Sequence, residues 1–516
     1  MMKSALRDIV KPVSLLLTIA NAQIYLMLPA IANKIPHASL PHASLNASFK
    51  IVQQPLRNAT NAICPAQLET AIATAIDRPQ LNRARWGILV QTVNRGDLLY
   101  SRDAQNYFIP ASNVKLFTTA AALQRLGSQF QIRTSVYPTI AGGLRVIGRG
   151  DPSLTDIQLQ ALAKQVKQQQ FHRISQLVAE DDYFQGAIVN PSWQWEDIQA
   201  DYGAPVNSLI LNQNTVKLTA IPQQVGQPLR LNWSDLREGM QWQIENEAIA
   251  VPASKSSLNV SRDSGAAILK VTGQMGIDAP SESINLAVVD PKAHFLRHFQ
   301  RSLAQAGITL SPGNELVQQQ ERQSTLGLRE IAFVVSPPLS ELLVETNQQS
   351  NNLYAEALLR ILGVRVQLTP TTRSTAEIGL QNVKETLTTL GVDPTGYVLA
   401  DGSGLSRQNL ASPVAIAQTL RVMANSPLAT VYRTSLPIAG VSGTLKSRFQ
   451  GTTAQGIVLA KTGTMSGVVA LSGYINSPNY EPLVFSIIVN QSDQPTSVLR
   501  QTIDRIVLFL TRLQRC

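Results

Sequence analysis

Three short polar motifs, spaced far apart and each set at the edge of an apolar run, constrain this chain more than any bulk property. Ser112-Asn113-Val114-Lys115 follows Pro110-Ala111 and opens a run over residues 113–126, rich in Ala and Leu and closed by Gly127. Those start and stop signals predict a buried helix. Ser350-Asn351-Asn352 stands 238 positions after Ser112, where a loop leads into a second helical run over residues 353–362. Lys461-Thr462-Gly463-Thr464 ends a strand-like run over residues 456–460. A chain of 516 residues exceeds one ordinary hydrophobic core, and its length predicts about two to four domains. Most of the interval between the first two motifs is therefore expected to be inserted material.

The remaining patterns fit that division. A helical segment from Cys64 to about Asp77 precedes Trp86 to Val93, then Asn94-Arg95-Gly96 and Asp97 to Tyr100, a hairpin signature. From about 134 to 330 the character changes to strand-like runs, turn-rich joins such as Gly148-Arg149-Gly150-Asp151-Pro152, and polar stretches such as 254–263. After Pro337-Pro338 a helical run covers 339–344; strands are expected at 468–475 and 483–489, and a closing amphipathic helix at 496–513. Helix, hairpin, helices, three strands and helix make an α+β layer architecture.

The formal charge of +10 and pI near 9.6 raise the question of nucleic acid. The 44 Lys and Arg are scattered, without the basic runs or interleaved aromatics such binding uses, so no nucleic-acid partner is expected. An anionic polymer or membrane surface accounts for the same charge. Lys3, Arg7 and Lys11 precede an apolar stretch over 13–31 that ends in Ala30-Ile31-Ala32, an export signal with cleavage expected after Ala32. Retention as an uncleaved anchor is the competing reading and would be the only membrane contact, although Asn21 and Gln23 weaken a span. Pro36-His37-Ala38-Ser39-Leu40 repeats at once as Pro41-His42-Ala43-Ser44-Leu45, a linker composition. Cys64 and Cys516 could pair in an oxidising compartment or stand as two unrelated thiols. Neither has a C-x-x-C spacing or a partner His. His294 and His298 lie one turn apart but lack the Glu of a zinc-protease pattern and a third ligand. The other histidines, at 37, 42 and 172, adjoin no candidate nucleophile. No metal and no organic cofactor is expected.

The motifs themselves carry the chemistry. Lys115 lies three positions after Ser112 on a helix, so the amine shares a face with the hydroxyl and can take its proton. Ser112 sits at the first turn, where unpaired N–H groups favour a developing oxyanion. Ser350 can relay a proton, Asn352 can bond a substrate amide, Lys461 supplies positive charge, and Gly463 allows a backbone to approach the strand edge. Taken singly, Ser350 reads as an N-cap and Lys461 as a surface charge; the order and setting of the three motifs carry the signal.

On these motifs the chain resembles the class C penicillin-binding proteins of low molecular mass, D-alanyl-D-alanine carboxypeptidases and endopeptidases. The likeness covers roughly residues 60–510 and extends to Gly150-Asp151-Pro152-Ser153-Leu154, Asp401-Gly402-Ser403-Gly404-Leu405-Ser406-Arg407 and Gly443-Thr444-Leu445. The long interval from Ser112 to Ser350 is the mark of this family. The resemblance implies a transpeptidase-like core, an antiparallel sheet flanked by helices, with two nested inserted domains. Its expected bounds are a signal peptide at 1–32, a linker at 33–59, the core at 60–133 and 331–516, a second domain at 134–200 and 285–330, and a third at 201–284.

It further implies an exported enzyme of the periplasm or cell-wall space that acts on peptidoglycan peptides and is acylated by β-lactams. Ser112, Lys115, Ser350, Asn352 and Lys461 would be catalytic. Thr462 and Thr464, with Lys461, would engage the terminal carboxylate, and the N–H groups of Ser112 and Thr464 would form the oxyanion hole. A pocket for the third residue of the peptide would use Arg407 and an acid within Glu180-Asp181-Asp182-Tyr183-Phe184, for which Asp181 is taken, with Met465 and Ser466 beside it. Asn351 replaces the family's usual acid and is expected to face away. The alternatives are a β-lactamase or esterase of the same fold, for which no deacylating Glu motif is found, and a catalytically idle wall-binding protein.

Overall fold

The hairpin expected near Trp86 forms from Arg85–Thr92 and Leu98–Arg102, and in the computed structural model it completes a sheet begun at the other end of the chain. The sheet is antiparallel and five-stranded, ordered Val458–Met465, Val468–Ile475, Leu483–Asn490, Arg85–Thr92, Leu98–Arg102. The structure describes residues 62–252, 256–262, 268–311, 316–317, 329–366 and 372–516; the expected signal segment and linker lie outside them.

Val468–Ile475 and Leu483–Asn490 are buried along their whole length, because helices cover both faces of the sheet. On one face Leu68–Ile76 and Thr496–Leu510 pack on Ile88, Val90, Leu471 and Ile487. On the other, Val114–Leu126 and Pro413–Ala424 pack on Leu89, Ala470, Tyr474 and Ile488. The fold is α+β. A disulfide joins Cys64 to Cys516 across 452 positions, beside a β-bridge between Ile63 and Leu513.

The intervening residues build two further apolar cores. Arg133–Pro138, Leu144–Ile147, Leu177–Glu180, Leu316–Val317 and Ala332–Val335 form one sheet. Asp156–Gln168 and Pro291–Gln305 lie against it through Leu162, Phe295 and Phe299. Ala332–Val335 pairs with Arg133–Pro138, so the chain leaves this sheet near Ser336 and not at 331. Thr215–Ile221, Arg230–Trp233 and Glu282–Ala287 form a smaller sheet, and Ser257–Arg262, Ile268–Gly276, Ile249–Val251 and Gln243–Asn246 another, around Leu218, Trp242, Leu269 and Val271. The strand Glu282–Ala287 runs past the expected bound at 284 because it pairs along its full length with Thr215–Ile221.

His294 and His298 face acids between these layers. His294 Nδ1 lies 3.0 Å from Glu238 Oε1, and His298 Nδ1 lies 2.6 Å from Asp156 Oδ1. Among the described residues no helix is long and apolar enough to cross a membrane.

Candidate active site

Ser112 occupies a 3-10 turn, Ala111–Asn113, that feeds the helix Val114–Leu126. Ala111 has φ 47°, a left-handed conformation that costs a residue with a side chain about 1 kcal/mol or more and needs support from its surroundings. Two glycines supply that support. Gly404, at φ 84°, comes so close that a Cβ there would meet the Ala111 carbonyl oxygen at 2.0 Å. At Gly463 a Cβ would meet the Pro110 oxygen at 2.8 Å and Ala111 Cβ at 3.2 Å. The small size of Gly463 thus seats the Ser112 turn against the strand, a use the sequence did not suggest. Asn113 points the other way, its Nδ2 donating to Ser472 Oγ at 3.3 Å.

One helical turn on, the wholly buried Lys115 aims its Nζ back at Ser112 Oγ, at 3.1 Å. The same amine donates to Asn352 Oδ1 and to the Ser403 carbonyl, each at 2.6 Å. Burial disfavours the charged amine and lowers its pKa to about 7, against the opposing pull of Asp401 and Glu356. The Ser403 carbonyl is aimed by a loop wrapped on Asp401, whose carboxylate accepts from the N–H groups of Gly404 and Ser406, each at 2.7 Å. Trp193 Nε1 of the inserted stretch reaches the same carboxylate at 2.9 Å. Glu356 beneath accepts from Gly402 N at 2.7 Å, and burial, with Asp401 nearby, raises its pKa to about 7.

Ser350 has φ 61°, a second left-handed residue, at the join between the helices Leu339–Gln348 and Asn352–Val366. Asn352 donates from Nδ2 to the Tyr202 carbonyl at 2.8 Å while its Oδ1 accepts a hydrogen bond from Lys115 Nζ. Asn351 turns its amide to Gln213 (2.8 Å) and Glu345 (3.2 Å). Lys461 is wholly buried; its Nζ donates to the Thr462 carbonyl at 3.1 Å. Burial, together with the charge of Lys115, pushes the Lys461 amine well below the usual lysine range. Two neighbouring ammonium groups out of water disfavour each other's charge, and an anion bound beside Lys461 would assign the charge there. Thr462 pairs its hydroxyl with that of Thr444 at 2.8 Å. The strand carrying Lys461 is the edge of the sheet; Ile438 bridges to its outer side at Leu459, and from Lys461 onward no further strand pairs there among the described residues.

A cavity of about 400 Å³ opens over these groups, lined from the core by Ser112, Ser350, Asn352, Arg407, Thr464, Met465 and Ser466. Its other wall is Gln194, Asp197 and Tyr202 of the inserted region. Arg407 donates from Nη1 to the Ser466 carbonyl at 3.0 Å and lowers the Asp197 pKa, which loss of water raises more strongly. Asp197 is the carboxylate that shares this cavity with Arg407. Asp181 is not in the cleft: its Oδ1 accepts from the N–H groups of Ser208 (2.8 Å) and Leu209 (3.0 Å), so its carboxylate is committed to a backbone turn. The sequence signal for Asp197 was present in Trp193-Gln194-Trp195-Glu196-Asp197, where indoles and carboxylates crowd five positions of an otherwise unremarked loop.

The arrangement provides a hydroxyl with an amine of lowered pKa beside it, a second buried amine on the edge strand, and a carboxylate and a guanidinium on one cavity. It suits acyl transfer to serine from a peptide with a terminal carboxylate. Comparison with known proteins agrees. The model of the D-Ala-D-Ala carboxypeptidase 3 (S13) family matches residues 68–513. A D-alanyl-D-alanine carboxypeptidase of Actinomadura is 34% identical over 459 residues, covering 84% of this chain and 83% of the relative. A penicillin-sensitive carboxypeptidase A of Dictyostelium discoideum is 30% identical over 478 residues, covering 83% and 87%. The crystal structure of penicillin binding protein 4 from Haemophilus influenzae shares the fold, with a TM-score of 0.72 at 24% identity, covering 86% of this chain and 98% of that one.

Proposed function

The chain belongs to the D-Ala-D-Ala carboxypeptidase 3 (S13) family, and on that premise we propose that Ser112 is the nucleophile of a serine-type D-Ala-D-Ala carboxypeptidase acting on peptidoglycan peptides. The observation that carries this reading is the 3.1 Å approach of Lys115 Nζ to Ser112 Oγ by an amine whose pKa is lowered to about 7. Near neutral pH a large share of that amine is free to accept a proton, which an ordinary lysine is not.

Ser112 Oγ attacks the carbonyl carbon between the two D-alanines as Lys115 Nζ takes its proton. The oxyanion is held by the N–H groups of Ser112 and Thr464. The C–N bond breaks, and the departing D-alanine amine gains a proton by way of Ser350, leaving an ester on Ser112. Water hydrolyses that ester and regenerates the hydroxyl. Lys461, Thr462 and Thr464 hold the terminal carboxylate, and Asn352 fixes both Lys115 and the peptide amide. Asp197 and Arg407 present opposite charges to the side chain of the third residue, which suits an amino group accompanied by a carboxylate. A β-lactam presents the same acyl carbonyl, and the penicillin sensitivity named for the 30% identical relative supports its acylating Ser112.

Cross-linked peptides offer the same bond with a longer leaving group, so endopeptidase action uses the same steps. The disulfide supports export to an oxidising space such as the periplasm or cell wall. The two cores inside residues 134–335 support a nested arrangement in which one inserted domain carries another. Incubation with a purified stem pentapeptide and, separately, with cross-linked dimers tests the substrate. Free D-alanine from the first is expected, and no product from either substrate would contradict the proposal.

A further inference from the structure

None of the residues lining the cavity over Ser112 comes from the inner sheets of residues 215–287. Those sheets nevertheless hold the cavity's outer wall. Residues 194–202, which carry Gln194, Asp197 and Tyr202, are tied at both ends. Trp193 is bonded to Asp401 at 2.9 Å. At the far end Ala200 bridges to Leu286, Ala287 N donates to the Gln199 carbonyl at 2.9 Å, and the Tyr202 carbonyl takes the Asn352 amide. Between these ties lies a turn closed by Asp197 N on the Gln194 carbonyl at 3.0 Å, with Trp195 at its second position.

Trp195 remains 41% exposed, and what meets its ring is Arg262 of the strand Ser257–Arg262. The guanidinium carbon lies 5.3 Å from the Trp195 centroid and 5.0 Å from that of Trp242. Trp242, 8% exposed, belongs to the inner apolar core. Both separations fall within cation–π range. Arg262 Nε is buried without a hydrogen-bond partner among the described residues, and loss of water lowers the group's pKa. A guanidinium placed this way interacts chiefly with the two indole faces.

We infer that Arg262 is a positioning residue for substrate selection: by bridging Trp242 of the inner core to Trp195, it fixes the turn that presents Gln194 and Asp197 to the third residue of the peptide. This rests on the reading that Asp197 and Arg407 recognise that residue. The inner sheets thereby gain a role in specificity without touching substrate. The bond from Asn352 to Tyr202 is held separately, by the backbone bridge at Ala200, so Ser112 chemistry is independent of Arg262.

The test uses the whole chain with two peptides that differ only at the third position, one bearing a side-chain amino group and the other alanine, alongside penicillin acylation. Arg262→Ala is expected to raise KM for the charged peptide about three- to tenfold. Its kcat, its KM for the alanine peptide and its acylation rate should stay within about twofold of the unchanged chain, and Arg262→Lys should recover most of the loss. An unchanged ratio of the two KM values, or acylation slowed in the same proportion, would overturn the inference. Should Arg262→Ala not fold, Trp195→Leu removes the partly exposed ring instead, with the same KM shift expected and an unchanged ratio equally fatal. Failure of the underlying reading shows elsewhere: the unchanged chain would treat both peptides alike.

Discussion

At the scale of single residues, the account turns on an amine stripped of water. With the Lys115 pKa lowered to about 7, the base is protonated and idle at lower pH and free at higher pH. Penicillin acylation is therefore expected to rise as pH climbs through about 7 and then level, as read from stopped-flow or gel-based labelling. A rise still continuing towards the ordinary lysine range would contradict the role of burial. Lys115→Arg keeps the charge but cannot give up the proton, and should slow acylation by about a hundredfold or more. Asp197 tests a different step. Asp197→Asn should raise KM for a peptide with a cationic third residue about tenfold and leave penicillin acylation within about twofold, because the carboxylate stands on the cavity wall opposite the core and makes no hydrogen bond to Ser112 or Lys115 among the described residues.

At the scale of elements, the site is a joint between a helix start, a helix-to-helix turn and a strand edge, held where backbones approach too closely for side chains. Gly404→Ala would drive a methyl into the Ala111 carbonyl, and its φ of 84° already disfavours a side chain. A stability loss above about 1 kcal/mol is expected in urea unfolding, with slowed acylation of whatever still folds. Why Gly404 is needed was not legible, since its neighbour is some 290 positions away in sequence. What was legible was local. Gly127, the Asn94-Arg95-Gly96 turn and the unbroken apolar runs 468–475 and 483–489 marked their elements directly. The helix Thr375–Thr389 passed unnoticed although Ser374 and Glu377 form a capping box, with Ser374 N donating to the Glu377 carboxylate at 2.7 Å. Asp197 is a related case: the resemblance pointed to an acid within Glu180-Asp181-Asp182, and only the fold shows that Asp181 faces a backbone turn while Asp197 lines the cleft.

At the scale of the whole molecule, the two ends of the described chain enclose everything else. The first strand, Arg85–Thr92, pairs with Leu483–Asn490, and Cys64 is bonded to Cys516, so the inserted cores project from a closed base. Closing so long a loop restricts the unfolded chain, and Cys64→Ser should cost about 2–5 kcal/mol in denaturant unfolding under non-reducing conditions. Acylation should persist, since the disulfide joins the sheet's far side from Ser112, where Leu68–Ile76 and Thr496–Leu510 pack. The same closure brings Ser112, Ser350 and Thr464 to one cavity from three distant parts of the sequence, and the role of Ser112 there as nucleophile is the central claim. Peptide mapping by mass spectrometry after exposure to labelled penicillin tests it most directly. The expected result is one adduct, on the peptide containing Ser112, that disappears in Ser112→Ala. An adduct on another residue, or label retained by that variant, would contradict it.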